Sequence, residues 1–136
     1  MSKDGIAGGG IGLASLAAGP IFVAASAAAD LYLRLPAPVV VDSQAVTLVT
    51  ALLVPAMIVG AIISLPLNAI GAVAMLALGE RIVAARAPLA WAIVGAACGA
   101  GIAAAFDPEP QIAFALVATS AGCGWLCSRG VAWPTA

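Results

Sequence analysis

Charged side chains are scarce in this sequence, and histidine is absent. Of the 136 residues, 8% are charged and 64% are hydrophobic. Soluble domains usually carry about 25% charged residues, because a small globule needs polar groups to cover its surface. Five basic and six acidic residues are too few for that purpose. We therefore expect the chain to fold in lipid rather than in water.

These absences also exclude several classes of function. The net charge of −1 provides no basic field for nucleic acid. Without histidine, acid–base catalysis would depend on carboxylates, and none lies deep inside an apolar run. The odd set Cys98, Cys123 and Cys127 has no histidine or carboxylate nearby, so we interpret these residues as small buried apolar side chains. We predict no enzyme activity, and no cofactor, metal or nucleic acid as a ligand.

Long apolar runs predict an all-α fold, namely a polytopic bundle of transmembrane helices. Residues 45–79 contain no charge, and as one helix they would extend about 52 Å at ~1.5 Å per residue. The hydrocarbon layer is only ~30 Å thick. Because Ser64, Pro66 and Asn68 are typical of helix starts and turns, we expect a tight turn there. The alternative is a long, broken second helix and four spans.

The prediction is thus a single transmembrane domain, residues 1–136, with five spans. Their approximate limits are 6–29, 45–64, 67–85, 89–106 and 111–127.

The first apolar run allows a second interpretation. Small residues before Asp30 resemble the cleavage site of a secretory signal. However, Asp4 cancels the charge of Lys3, and three glycines at positions 8–10 are unusual in a signal core. We favour a retained spanning helix, followed by an extended connector that contains Pro36 and Pro38.

The distribution of basic residues predicts the orientation of the last two spans. With either four or five spans, Arg86 and Arg129 lie in the cytoplasm, and the turn at Asp107 and Glu109 lies on the opposite side. The tryptophans then cluster near the cytoplasmic interface, as an aromatic belt does: Trp91, Trp125 and Trp133. We therefore expect a multi-pass protein of the bacterial cytoplasmic (inner) membrane with a cytoplasmic C-terminus.

Pairs of small residues four positions apart predict close helix packing. The pairs are Gly8/Gly12, Gly60/Ser64, Gly95/Gly99 and Ala118/Gly122. The hydroxyl groups inside the spans are expected to bond back to carbonyls of their own helix; they belong to Thr47, Thr50, Thr119 and Ser120.

Two short segments are the candidate functional positions. Pro66 and Asn68 form a candidate polar break inside the membrane, of the kind that binds ions or substrates in transporters. Glu80 and Arg81 are candidate interface charges, and Arg81 or Arg86 is expected to neutralise Glu80.

These observations favour a small non-catalytic integral membrane protein. Its expected role is that of an accessory or structural subunit, and its expected partners are the lipid bilayer and other membrane subunits or copies of itself. The alternative is a small oligomeric channel or transporter, with the Pro66–Asn68 break lining the path.

Overall fold

A computed structural model describes residues 4–35 and 43–133 of the chain. Helix α1 spans Asp4–Arg34 and α2 spans Ser43–Arg81, whereas α3 and α4 span Pro88–Phe106 and Pro110–Arg129. A 3₁₀ turn, Val83–Arg86, joins α2 to α3. Within the described residues there is no strand, and all four helices are long and apolar enough to cross a membrane. The all-α, multi-span fold class is thereby confirmed.

The expected turn between residues 64 and 68 is absent, so the preference for five spans is wrong. Segments 45–64 and 67–85 belong to one continuous helix, α2, which has 39 residues and contains Pro55 and Pro66. Each proline removes one backbone hydrogen bond, whereas a chain break would create two helix ends with up to about four unpaired groups each. Lipid cannot satisfy such groups. The continuous helix is therefore the less costly solution, and the described residues form four candidate spans rather than five.

The turn between α3 and α4 forms where the acids and prolines predicted it. Asp107 adopts a left-handed conformation with φ 45°, and its N–H donates to the carbonyl of Ala103. Pro110 occupies the first turn of α4, where its missing N–H costs no helical bond. The predicted connector prolines, Pro36 and Pro38, lie outside the described residues, as does Lys3.

The helices pack in the order α2, α1, α4, α3. Helix α1 packs along both α2 and α4, and α3 packs along α4. Helices α2 and α3 hardly contact each other, although both contact the 3₁₀ turn that joins them. The bundle is therefore open along one side, and the buried hydrophobic cluster includes Met75, Trp91 and Cys127 near that turn.

Glycine makes the closest helix contacts possible. A Cβ added to Gly60 would lie 2.6 Å from the nitrogen of Gly19, so α1 and α2 touch backbone to backbone. A Cβ at Gly95 would clash with the carbonyl of Ser120, and one at Gly99 would lie 2.8 Å from that of Leu116. The packing roles expected for Gly60 and Gly95/Gly99 are thus confirmed.

The other small-residue pairs differ. A Cβ at Gly12 would meet no atom of the described residues within 4 Å. The structure does not describe the surroundings of Gly8. Gly122 makes only an ordinary contact, at 3.4 Å, with Ile21. Spacing alone therefore did not distinguish contact faces from open faces.

Candidate lateral groove between α2 and α3

The open side of the bundle holds a groove of about 300 Å³, which we call the lateral groove. Helices α2 and α3 form its walls, and α4, with one residue of α1, forms its floor. The wall residues of α2 range from Ser64 to Met75, and those of α3 from Trp91 to Ile102. The polar or thiol-bearing residues of the groove are Ser64, Asn68, Cys98, Thr119, Ser120, Cys123 and Cys127.

Asn68 connects the groove to a polar contact between helices. Its Nδ2 donates to Oγ of Ser15 over 3.2 Å, and Ser15 is only 1% exposed. Oγ of Ser64 donates to the carbonyl of Ser15 over 3.3 Å. From α4, the thiol of Cys123 lies 3.5 Å from the carbonyl of Ala14. These side chains link α1 to both of its neighbours, and we call Ser15, Ser64, Asn68 and Cys123 the polar cluster.

The two residues of the candidate break are separated by the structure. Asn68 lines the groove, whereas Pro66 is exposed on another face of α2 and does not line it. Asn68 is accordingly part of a helix contact rather than of a turn. Sequence reasoning assigned no role to Ser15; its only signal was an isolated hydroxyl within an apolar run.

Glu80 and Arg81 are both exposed at the end of α2. Within the described residues Glu80 forms no ion pair with Arg81 or Arg86, and the ion pair that is present joins Arg34 to Asp30 over 2.9 Å. Arg86 instead donates from Nε to the carbonyl of Gly79 over 2.8 Å. A carbonyl left free at a helix end attracts a cation by its partial negative charge.

Aromatic rings gather at the same end of the bundle as Arg86 and Arg129. The guanidinium of Arg86 lies 5.2 Å from the ring centre of Trp133, and that of Arg129 lies 4.4 Å from the ring centre of Trp125. Nε1 of Trp91 donates to the carbonyl of Ala85 over 3.0 Å. The expected grouping of the three tryptophans is therefore present in the structure.

The hydroxyl groups behave in two ways. Thr47 and Thr50 donate to the carbonyls of Ser43 and Val46, as expected. Oγ1 of Thr119 is buried without a hydrogen-bond partner among the described residues, so the same expectation was wrong there. Thr119 lies on α4, at the floor of the groove.

The cysteines all line the groove, but they do not form a metal site. Cys123 and Cys127 are each 4% exposed, as expected for small apolar side chains, whereas Cys98 is exposed, contrary to expectation. Within residues 4–35 and 43–133, no group of three His, Cys, Asp or Glu side chains is arranged to hold a metal ion.

A second recess, of about 480 Å³, lies at the opposite end of the bundle between α1 and α4. It is lined mainly by apolar side chains such as Leu33 and Phe114, and its polar groups are those of Tyr32 and Gln111. Although larger, it lacks the convergent polar groups that are typical of a binding site. The lateral groove is therefore the better candidate.

The groove offers neutral groups only: hydroxyls, an amide, thiols and apolar surface. Such groups form hydrogen bonds and dispersion contacts, and they suit an apolar occupant better than an ion. Comparison with protein-family models, with curated proteins and with solved structures gives no significant match.

Proposed function

We propose that this chain is a small non-catalytic subunit that assembles with larger membrane proteins. The observation that carries the proposal is the exposure of α2. It packs extensively against α1 alone among the long helices, and its 18-residue apolar window is 0% buried. Large apolar side chains project from most of its circumference, including Leu48, Val54, Ile58 and Ile62. A helix held on one flank has room for neighbours on the others.

An open glycine on α3 supports the same proposal. A Cβ at Gly101 would meet no atom of the described residues within 4 Å, so this glycine has no packing role among residues 4–35 and 43–133. Glycine lowers helix propensity by about 1 kcal/mol relative to alanine. In membranes small residues allow a second helix to approach closely. Gly101 is thus well suited to contact a helix of another protein.

We further propose a location in the bacterial cytoplasmic membrane, with the C-terminus in the cytoplasm. Arg81, Arg86 and Arg129 lie at one end of the bundle, whereas Arg34 lies at the other end, with the turn that contains Asp107 and Glu109. Loops on the cytoplasmic side carry an excess of arginine and lysine. This asymmetry supports the orientation.

The proposal is tested by purifying the tagged chain, expressed at its natural level, in a mild detergent. We expect larger membrane proteins to co-purify at fixed stoichiometry, and Gly101→Leu to weaken that association. Gly12→Leu adds the same side chain to an open site on α1, so a loss of association in Gly101→Leu alone would locate the contact on α3.

The opposite result is a homogeneous monomer or homo-oligomer that retains no partner. If such a preparation also conducts solutes in liposomes, and Asn68→Leu abolishes the flux, the channel or transporter alternative replaces the subunit proposal. The groove position of Asn68 is the observation that favours this alternative.

A further inference from the structure

We propose that the lateral groove holds one acyl chain of an anionic phospholipid whose phosphate contacts Arg86. This inference goes beyond the role of an accessory subunit, because it requires no protein partner. It rests on the length of the groove, on the position of its closed end and on the charge beside that end.

The groove has the length of one lipid leaflet. Its walls extend from Ser64 to Met75 on α2 and from Trp91 to Ile102 on α3. Eleven residue steps correspond to about 16 Å along a helix. Half of the hydrocarbon layer is ~15 Å thick, whereas a transmembrane helix needs the full ~30 Å. The groove therefore fits an acyl chain better than a spanning helix.

The groove also closes at the end where a headgroup belongs. Met75 and Trp91 are 5% and 2% exposed, and both belong to the buried cluster near the 3₁₀ turn. One helical turn beyond Met75 lies Gly79, whose missing side chain leaves room for the ring of Trp133. Tryptophan is enriched at headgroup level. A lipid whose headgroup lies outside this closed end would direct its acyl chain into the open side of the groove and toward the membrane centre.

Arg86 is positioned to contact a phosphate at that end. Its Nε is bonded to the carbonyl of Gly79, and its guanidinium stacks on Trp133, so the side chain is held in place while only half-buried. The two Nη groups donate no hydrogen bond to the described residues. Guanidinium groups bind phosphate through paired N–H donors.

The charge of Arg86 favours an anionic lipid over a zwitterionic one. Within the described part of the chain it has no acidic partner, since Glu80 forms no ion pair with it. A basic residue near the membrane surface contributes about 1 kcal/mol to the binding of anionic lipid. That energy corresponds to a preference of about five-fold.

The test uses Trp91 as a sensor inside the groove. A protein with Trp125→Phe keeps Trp133, on whose ring Arg86 stacks, and the signal of Trp91 is the difference between this protein and the same protein with Trp91→Phe. Both proteins are reconstituted into vesicles of phosphatidylcholine and phosphatidylglycerol in which one lipid or the other carries brominated acyl chains. Bromine quenches tryptophan fluorescence on contact. We expect brominated phosphatidylglycerol to quench Trp91 with about five-fold higher apparent affinity than brominated phosphatidylcholine.

Two pairs of variants separate the groove from the rest of the surface. Arg86→Gln is expected to abolish the preference for phosphatidylglycerol, and Arg86→Lys to retain most of it. Gly71→Leu fills the groove, where a Cβ meets nothing within 4 Å, and is expected to reduce quenching by both lipids. Gly12→Leu adds the same side chain to an open site on α1, outside the groove, and is expected to leave quenching unchanged.

Equal quenching by both lipids, unaffected by Arg86→Gln and Gly71→Leu, would overturn the proposal. So would cross-linking from Cys98, which lines the groove, to a helix of another protein, because that helix would then be the occupant. The vesicles contain only this chain and lipid. A failure here is thus distinguishable from a failure of the subunit proposal, which is tested by co-purification.

Discussion

At the scale of single residues, Ser15 of α1 forms the polar contact between α1 and α2. Ser15 accepts a hydrogen bond from Asn68 at its hydroxyl and one from Ser64 at its carbonyl. Lipid offers apolar helices no hydrophobic reason to associate, so such polar contacts and close packing decide which faces meet. The contact between Ser15 and Asn68 is therefore expected to contribute to stability.

We predict that Asn68→Leu lowers the free energy of unfolding by about 0.6 kcal/mol, and at most ~1.7 kcal/mol, because a hydrogen bond between membrane helices is lost. The measurement is far-ultraviolet circular dichroism during titration of mixed micelles with a denaturing detergent. The double variant with Ser15→Ala should lose less than the sum of the single losses. Additive losses would show that the two side chains are not coupled.

A matched control is available on the same helix. The hydroxyl of Thr50 bonds to the carbonyl of Val46 within α2. Thr50→Ala is expected to leave the packing of α1 against α2 unchanged.

At the scale of elements, glycine determines how closely α3 and α4 approach. We predict that Gly95→Ala lowers the free energy of unfolding by about 1–3 kcal/mol, because the new methyl group would meet the carbonyl of Ser120. The same titration measures the loss. Gly101→Ala is the control: its methyl group meets open space, so stability should stay the same or rise by at most about 1 kcal/mol. Equal effects at both positions would contradict the packing described.

The continuity of α2 gives a second prediction at this scale. In a background without native cysteines, Pro66→Cys should resist a membrane-impermeant thiol reagent on either side of the membrane, because residue 66 lies within one spanning helix. Pro108→Cys, in the turn between α3 and α4, should react. Labelling of position 66 from the side that labels position 108 would show that the chain turns at residue 66 and crosses the membrane five times.

Sequence patterns predicted the elements better than the contacts between them. The acids and prolines at residues 107–110 ended a helix as expected, because Pro108 and Pro110 follow a charged residue outside the apolar run. Pro66 did not end one, because its neighbours on both sides are apolar and lipid penalises a break. Asn68 was recognised as unusual, yet its partner Ser15 lies 53 residues away. No local pattern identifies a pairing of that separation.

At the scale of the whole molecule, charge is distributed unequally between the two ends. Arg86 and Arg129 lie near the tryptophans, and the acidic turn lies opposite. We predict that Pro108→Cys reacts with an impermeant reagent in intact cells, whereas Ala87→Cys reacts only after the inner membrane is permeabilised. The reverse pattern would place the C-terminus outside the cytoplasm and contradict the proposed orientation.

The unequal lengths of the helices have a consequence for the surrounding bilayer. At ~1.5 Å per residue, α3 and α4 are about 30 Å long and match the hydrocarbon layer, whereas α2 is about 58 Å long. Even at a tilt of ~40°, the upper end of the usual range, α2 covers about 45 Å along the membrane normal. The extra length of α2 is accommodated by bending at Pro55 and Pro66, by a locally thicker bilayer, or by helix ends that extend beyond the hydrocarbon layer. The two sides of the bundle therefore differ in the hydrocarbon thickness that they match, α3 and α4 matching about 30 Å and α2 a greater thickness.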